Sequence, residues 1–302
     1  MSQKLGPYHV VDLPAARRET PNFLDLYWWK HSVYGLLEVD VTVVRQFIAA
    51  HKAQTGEVLS FTGYLVFCLA RAVDADKSVQ AYVKGRKHLV MFDDVDVFLT
   101  VEREIGGTRA PMAHIIRRAN HKTFQDIHQE IRAVQARPVP SRKGAPPLLR
   151  FIALLPGPLS KLLGTLLRAA TRRDPTTAVA QGGTVGVTAV GMFGQSSGWG
   201  LVPWPHTLGL VVGGIARKPA VVVDRIEPRE ILNLTVVFDH DVVDGAPAAR
   251  FVRRLVELIE SGYGLAEDQL IPAGDSGSAA ARPAPAWEQD AIRESVRAGV
   301  VA

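Results

Sequence analysis

The chain has 302 residues, 47% of them apolar, with a formal net charge of +5 and a pI near 9.4. This is enough apolar material for one large domain or two small ones with a buried core. The basic residues are scattered and form no nucleic-acid-binding motif, which argues against nucleic acid as a partner. The single cysteine, Cys68, excludes a disulfide framework. Residues 1–14 lack the apolar core of a signal peptide, so we expect a cytoplasmic protein.

The first half of the chain alternates between strand and helix patterns. Residues 35–41 and 95–101 place apolar side chains at every second position, which predicts two strands. Three helices are predicted, each opened by a hydroxyl side chain that can accept a backbone N–H, at Thr42, Ser60 and Thr123.

The stretch 138–175 interrupts this alternation. Two short apolar segments within 146–173 carry several arginines and a lysine, which predicts a basic amphipathic hairpin too broken to span a bilayer. Such a hairpin could lie on a membrane surface. We favour packing on its own domain or on a neighbouring subunit, because apolar helix faces are usually buried in protein.

The second half is rich in predicted strands, which are expected at 184–189, 208–215, 220–223 and 231–238. A helical stripe follows at 251–259. Beyond Gly262 the chain becomes rich in Ala, Pro, Gly and Ser, a composition that cannot bury a core. We therefore expect a domain at 1–265 and a flexible tail at 266–302 that contains a short helix at most.

The segment that indicates chemistry lies between the last predicted strand and the last helix. His240 follows the strand directly, and Asp244 and Gly245 suit a tight turn into the helix. A neutral imidazole there can take a proton from an attacking thiol or hydroxyl group and pass it to the leaving group. A lone histidine at a strand end is more often structural, so this pattern alone leaves both roles open.

The sequence Phe-Asp-His-Asp-Val-Val-Asp-Gly-Ala at 238–246 resembles the signature of the catalytic domain of dihydrolipoamide acyltransferases of 2-oxoacid dehydrogenase complexes. It more distantly resembles chloramphenicol acetyltransferase. Three further segments resemble the family in the same order, at 37–42, 182–191 and 210–217. The resemblance implies an α/β fold of the α+β two-layer sandwich type, in which helices cover a mixed sheet, assembled as a homotrimer with active sites between subunits.

The resemblance also implies roles for single residues. His240 would be the general base, Thr188 the hydroxyl that stabilises the oxyanion, and Asp244 the anchor of the loop, paired with an arginine such as Arg17 or Arg18. From the sequence alone, Thr188 suits a strand equally well. Coenzyme A and acyl-CoA would be substrates, with a lipoyl group supplied only by another protein, since we expect no lipoyl domain before the catalytic region. The expected function is CoA-dependent acyl transfer to a thiol or hydroxyl acceptor.

Two features depart from the family pattern: the hairpin at 138–175, which looks like an insertion relative to the family, and the residue after His240. Asp241 follows His240 where the family usually has a basic residue, and Asp239 precedes it, so we expect excess negative charge that favours the protonated imidazole. A second hypothesis is therefore a catalytically silent trimeric scaffold. No metal site is expected from His114, His121 and His128, whose seven-residue spacing lacks a complete ligand set.

Overall fold

The computed structural model describes residues 9–12, 30–105, 108–137, 162, 165–166, 169–189 and 197–265. For 103–111 it describes the backbone alone. A mixed six-stranded sheet with the strand order β1-β8-β7-β6-β4-β5 forms its centre, and a separate two-stranded hairpin joins β2 to β3. The strands are β1 Ser32–Asp40, β2 Tyr82–Lys84, β3 His88–Val90, β4 Val97–Ile105, β5 Thr108–Ile116, β6 Val185–Ala189, β7 Leu208–Val222 and β8 Arg225–Asp239.

The described helices are α1 Thr42–Thr55, α2 Phe61–Ala75, α3 Phe124–Ala136, α4 Thr176–Gly182 and α5 Gly245–Glu260. Four of these five helices, α1, α2, α3 and α5, contribute to the core on one face of this sheet. Alternate side chains of β8, at Leu232, Leu234, Val236 and Phe238, point into the core that the sheet shares with α2 and α5. The sheet-and-helix architecture expected from the sequence is confirmed.

The predicted helix starts are confirmed at two of three positions. Ser60 accepts from the N–H of Gly63, and Thr123 forms a reciprocal capping box with Asp126. Thr42 is instead the first residue of α1, and its N–H donates to the Asp40 carboxylate. The prediction of Thr42 as the cap was wrong: Val41 occupies the capping position without a side-chain hydrogen bond, and the Thr42 hydroxyl accepts the N–H of Glu230 instead.

Strands β7 and β8 form one long antiparallel hairpin. The two separate strands predicted at 208–215 and 220–223 are the single strand β7. Val223 and Asp224 make the connecting turn with φ angles of 46° and 64°. Only residues 231–239 of β8 pair with β1, so the tip of the hairpin extends past the sheet. Val221, Val223 and Ile226 at this tip are highly exposed.

Three further expectations concern membrane-spanning helices, the single cysteine, and the segments 138–175 and 266–302. None of the helices in the described ranges has the length and apolarity needed to cross a bilayer. Cys68 is fully buried in α2, and this burial raises the pKa of its thiol to about 12. The tail 266–302 and most of the predicted basic hairpin lie outside the described residues.

Candidate active site at the end of strand β8

His240 lies at the junction of β8 and α5. The strand ends at Asp239, whose carbonyl accepts the N–H groups of Val242 and Val243 at 3.0 Å and so closes a tight turn. Asp244 then stands in extended conformation before α5, and its carbonyl accepts the N–H of Ala248. The strand, turn and helix predicted around the histidine are confirmed.

The imidazole of His240 is accessible and weakly held. Its side chain is 47% exposed, and Nδ1 is 3.8 Å from Oδ1 of Asp244. That distance exceeds a hydrogen bond, and no other hydrogen-bond partner of the ring is found among the described residues. A ring with a free nitrogen facing solvent can accept a proton from a bound acceptor group.

The two carboxylates flanking His240 each contact a basic side chain. Lys30 Nζ lies 2.6 Å from Oδ2 of Asp239, and His31 Nδ1 lies 2.7 Å from Oδ1 of Asp241. The hydrogen bond that His31 donates to the Asp241 carboxylate, together with the negative charge of that carboxylate, raises the pKa of His31. The negative charge expected from the sequence is therefore offset by partners that the sequence analysis did not find.

Asp244 and Gly245 occupy the expected turn. The Asp244 side chain is 86% exposed, and within the described ranges the only basic side chain found within 4 Å is that of His240. Arg17 and Arg18, the predicted partners of Asp244, lie outside the described residues. A Cβ added to Gly245 would meet nothing within 4 Å, so packing does not require glycine there.

Thr188 lies on β6, between β7 and β4. Its neighbour along the sheet is Val211, and Thr235 of β8 lies opposite Val211. Thr188 is partly exposed, on the sheet face that points away from the helices. Gly183, just before this strand, has φ +81°, and a Cβ there would come within 2.7 Å of the Asp96 carbonyl. The glycines before β6 therefore allow it to join the sheet beside β4.

One chain does not bring Thr188 and His240 together. Thr188 is level with Thr235, which precedes His240 by five residues and lies two strands away. Strand geometry converts this offset to about 16 Å along the sheet and about 10 Å across it. The predicted base and the predicted oxyanion donor therefore occupy separate places in a single chain.

His206 is a buried histidine that the sequence analysis missed. Nε2 donates to the Gly182 carbonyl at 2.9 Å, and the ring lies beside Trp204 and Phe98. Burial lowers the pKa of His206 to about 4, so the imidazole is neutral at ordinary pH. It precedes β7 in a proline-flanked segment with no periodic pattern, and only tertiary packing reveals its burial.

The three evenly spaced histidines belong to separate contacts. His114 contacts Glu130, His121 contacts Asp94, and His128 contacts Glu57. Among the residues that the structure describes, no group of three or more potential ligands converges on one point.

Residues 156–266 match the model of the family "2-oxoacid dehydrogenases acyltransferase (catalytic domain)". The match begins inside 138–175, so part of the segment expected to be an insertion belongs to the matched region. The lipoamide acyltransferase component of the branched-chain alpha-keto acid dehydrogenase complex of Bacillus subtilis is 26% identical over 235 residues, or 76% of this chain and 46% of that protein. This chain thus spans about half the length of that relative.

Two solved structures show the same fold. A probable dihydrolipoamide acetyltransferase from Listeria monocytogenes has a TM-score of 0.60 at 17% identity, covering 85% of this chain and 96% of that one. The dihydrolipoamide acetyltransferase of Azotobacter vinelandii has a TM-score of 0.61 at 18% identity, covering 88% and 100%. The resemblance seen in the sequence is confirmed: the chain has the fold of the 2-oxoacid dehydrogenase acyltransferase catalytic domains, and its residues 156–266 match the model of that family.

Proposed function

We propose that this protein is an acyltransferase that moves an acyl group between coenzyme A and a thiol of the dihydrolipoyl type or a hydroxyl acceptor. The observation that carries the proposal is His240, an accessible imidazole with a free nitrogen at the end of the strand in the matched region. We assign residues 1–265 to the catalytic domain and 266–302 to a tail.

The spacing of polar residues supports this assignment. In the Azotobacter vinelandii enzyme, the roles of a serine, a histidine and an asparagine in the catalytic mechanism have been investigated. The serine precedes that histidine by 52 positions and the asparagine follows it by four. Thr188 and Asp244 stand at the same spacings from His240. A threonine keeps the hydroxyl group of the serine, and an aspartate keeps the size of the asparagine.

The proposed chemistry is direct transfer with His240 as the base. The imidazole takes the proton of the acceptor thiol as the sulfur attacks the thioester carbonyl, and a tetrahedral oxyanion forms. The Thr188 hydroxyl donates a hydrogen bond to that oxyanion. The carbon–sulfur bond to coenzyme A then breaks, and the imidazolium returns its proton to the leaving thiolate. The products are free coenzyme A and the acylated acceptor.

This mechanism requires two copies of the chain. The oxyanion donor and the base must both lie about 3 Å from the reacting group, whereas the strand register separates Thr188 and His240 within one chain. We propose a closed homotrimer in which His240 of one subunit faces Thr188 of the next. The exposed apolar tip of the β7–β8 hairpin is available for contact between subunits.

The charges around the loop suit anionic acyl-CoA. Arg172 is half-exposed and lies 3.6 Å from Oδ2 of Asp241, next to His240 in sequence. Lys84 and Arg86 belong to the neighbouring β2–β3 hairpin, whose Gly85 N–H donates to the Arg172 carbonyl. Positive charge close to the base attracts the phosphates of coenzyme A. A lipoyl group would come from a separate protein, and the single buried thiol of Cys68 fits the reducing cytoplasm.

The test is release of coenzyme A from a panel of acyl-CoA thioesters, with dihydrolipoamide, small alcohols and a lipoyl-bearing domain as acceptors. The parent protein is compared with His240→Ala and with His51→Ala, a histidine on α1 that contacts Glu57. We expect acceptor-dependent release that only His240→Ala abolishes. A folded parent with no turnover on any pair would favour the trimeric scaffold instead.

A further inference from the structure

Two consecutive residues before β1 contact the residues on both sides of His240. Lys30 pairs with Asp239 and His31 pairs with Asp241, although more than 200 positions separate the two segments in the sequence. The His31 carbonyl also accepts the N–H of His240 at 2.9 Å. Lys30 and His31, which we call the clamp, thus continue the β1–β8 ladder beyond its last pair, Ser32 with Asp239.

The Lys30–Asp239 contact is the buried half of the clamp. The two side chains are 8% and 6% exposed, and Lys30 Nζ also lies 5.6 Å from the centre of the Tyr82 ring. The other carboxylate oxygen of Asp239 accepts the N–H of Asp241 at 3.2 Å. Lys30 therefore holds Asp239, the residue before His240. Through the Asp239 carboxylate it also holds the backbone of Asp241, the residue after His240.

The His31–Asp241 contact is the exposed half. His31 is 76% exposed, and its imidazole faces the Asp241 and Asp239 carboxylates and the Arg172 guanidinium. Arg172 approaches the second oxygen of Asp241. Exposed pairs of this kind add little to stability, so this half can be removed without unfolding the protein.

We propose that Lys30 and His31 are positioning residues for His240, fixing the loop and offsetting the two carboxylates that flank the imidazole. The inference rests on the proposed acyl transfer. The ring of His240 has no hydrogen bond of its own among the described residues, so its position follows the backbone from 239 to 241, which the clamp holds. A displacement of about 1 Å in a catalytic group lowers the rate about 100-fold.

The experiment compares the full chain with Lys30→Met, Lys30→Arg and His31→Gln. The matched control is Lys218→Met, because Lys218 pairs with Glu38 at the same distance of 2.6 Å but away from the loop. Two properties are measured: kcat and KM of acyl transfer across pH, and amide hydrogen exchange of residues 239–243, which does not depend on activity.

We expect Lys30→Met to lower kcat by about 10- to 100-fold at an unchanged KM for acyl-CoA. Exchange at the His240 amide becomes faster, and the acid limb of the kcat profile moves to higher pH because Asp239 has lost its cation. Lys30→Arg restores most of the rate. His31→Gln gives a smaller change of the same sign, and it carries the test if Lys30→Met fails to fold. Lys218→Met matches the parent.

The inference is overturned if folded Lys30→Met and His31→Gln keep the parent's kcat, pH profile and exchange, or if Lys218→Met loses activity equally. A parent protein without acyl transfer overturns the proposed function, and with it any role of the clamp in catalysis. In that case, faster exchange in the clamp variants would still show that the clamp orders the loop, so the two failures are distinguishable.

Discussion

The carboxylate of Asp244 lies 3.8 Å from Nδ1 of His240, four residues earlier in the sequence, and both side chains extend into solvent. An exposed pair at this distance contributes little to stability. Asp244 therefore differs from Asp239, which directly precedes the base and whose carboxylate forms a buried ion pair with Lys30.

Asp244→Asn tests this weak coupling. We expect the free energy of unfolding to change by less than about 0.5 kcal/mol, and acyl transfer to stay within about threefold of the parent. An amide keeps the shape of the carboxylate and corresponds to the asparagine at this spacing in the Azotobacter enzyme. Urea unfolding and the coenzyme A release assay measure both quantities. Strong destabilisation would show that Asp244 has a buried partner, such as the arginine predicted from the sequence.

Lys30→Met should destabilise the protein by about 3–5 kcal/mol, because it leaves the Asp239 charge buried without a cation. The double variant Lys30→Met/Asp239→Asn should lose less, since no uncompensated charge remains. Urea unfolding of the parent, the single variant and the double variant measures this difference. Equal losses in both variants would mean that the lysine acts through packing alone.

Gly186→Ala should destabilise the sheet by about 1–3 kcal/mol. The new Cβ would lie 2.8 Å from Nδ1 of His206 and 2.9 Å from the Trp204 ring, so one of these rings must move. Gly35→Ala is the control, because its Cβ would make an ordinary contact at 3.9 Å with the Val236 carbonyl. Thermal unfolding of both variants measures their loss of stability. Equal losses in the two variants would show that the His206 and Trp204 rings move aside without cost.

Because His206 is buried as a neutral imidazole, we expect the protein to lose stability in mild acid. Its folded pKa of about 4 lies below the ordinary value of 6.5, so the unfolded chain binds a proton first as pH falls. The contribution of the neutral His206 imidazole to the free energy of unfolding is complete above pH 6.5 and declines as the pH falls towards 4. At pH 5 about 2 kcal/mol of it is lost. The exposed His31 acts in the opposite direction, but weakly.

The measurement for His206 is urea unfolding at pH 7 and pH 5. His206→Gln, whose amide can still donate to the Gly182 carbonyl, should show a smaller loss between the two values. An identical pH dependence in the parent and the variant would contradict the burial of a neutral imidazole.

Local patterns predicted the strand, turn and helix around His240, because each depends on residues close in sequence. Strand β7 was divided at residues 216–219, where charges and Pro219 interrupt the apolar alternation. In the structure the strand continues because Pro219 lies opposite Pro228, so the two missing N–H donors fall at one position of the ladder.

The partners of the site were not predictable in the same way. Lys30 and His31 gave no signal of their own, since their contacts with Asp239 and Asp241 arise only when β1 pairs with β8. The expected excess of negative charge at His240 was inferred from sequence neighbours alone. In the folded chain the nearest basic side chains come from the segment that directly precedes β1.

The most direct test of the central claim mixes two inactive variants, His240→Ala and Thr188→Ala, after unfolding and refolding them together. Thr188→Ala alone should lower kcat by about 100-fold or more. If each active site takes its base from one subunit and its hydroxyl from the next, the mixture regains coenzyme A release that neither variant shows alone. Mixed, folded oligomers that stay as inactive as the separate variants would contradict an acyl-transfer site shared between subunits.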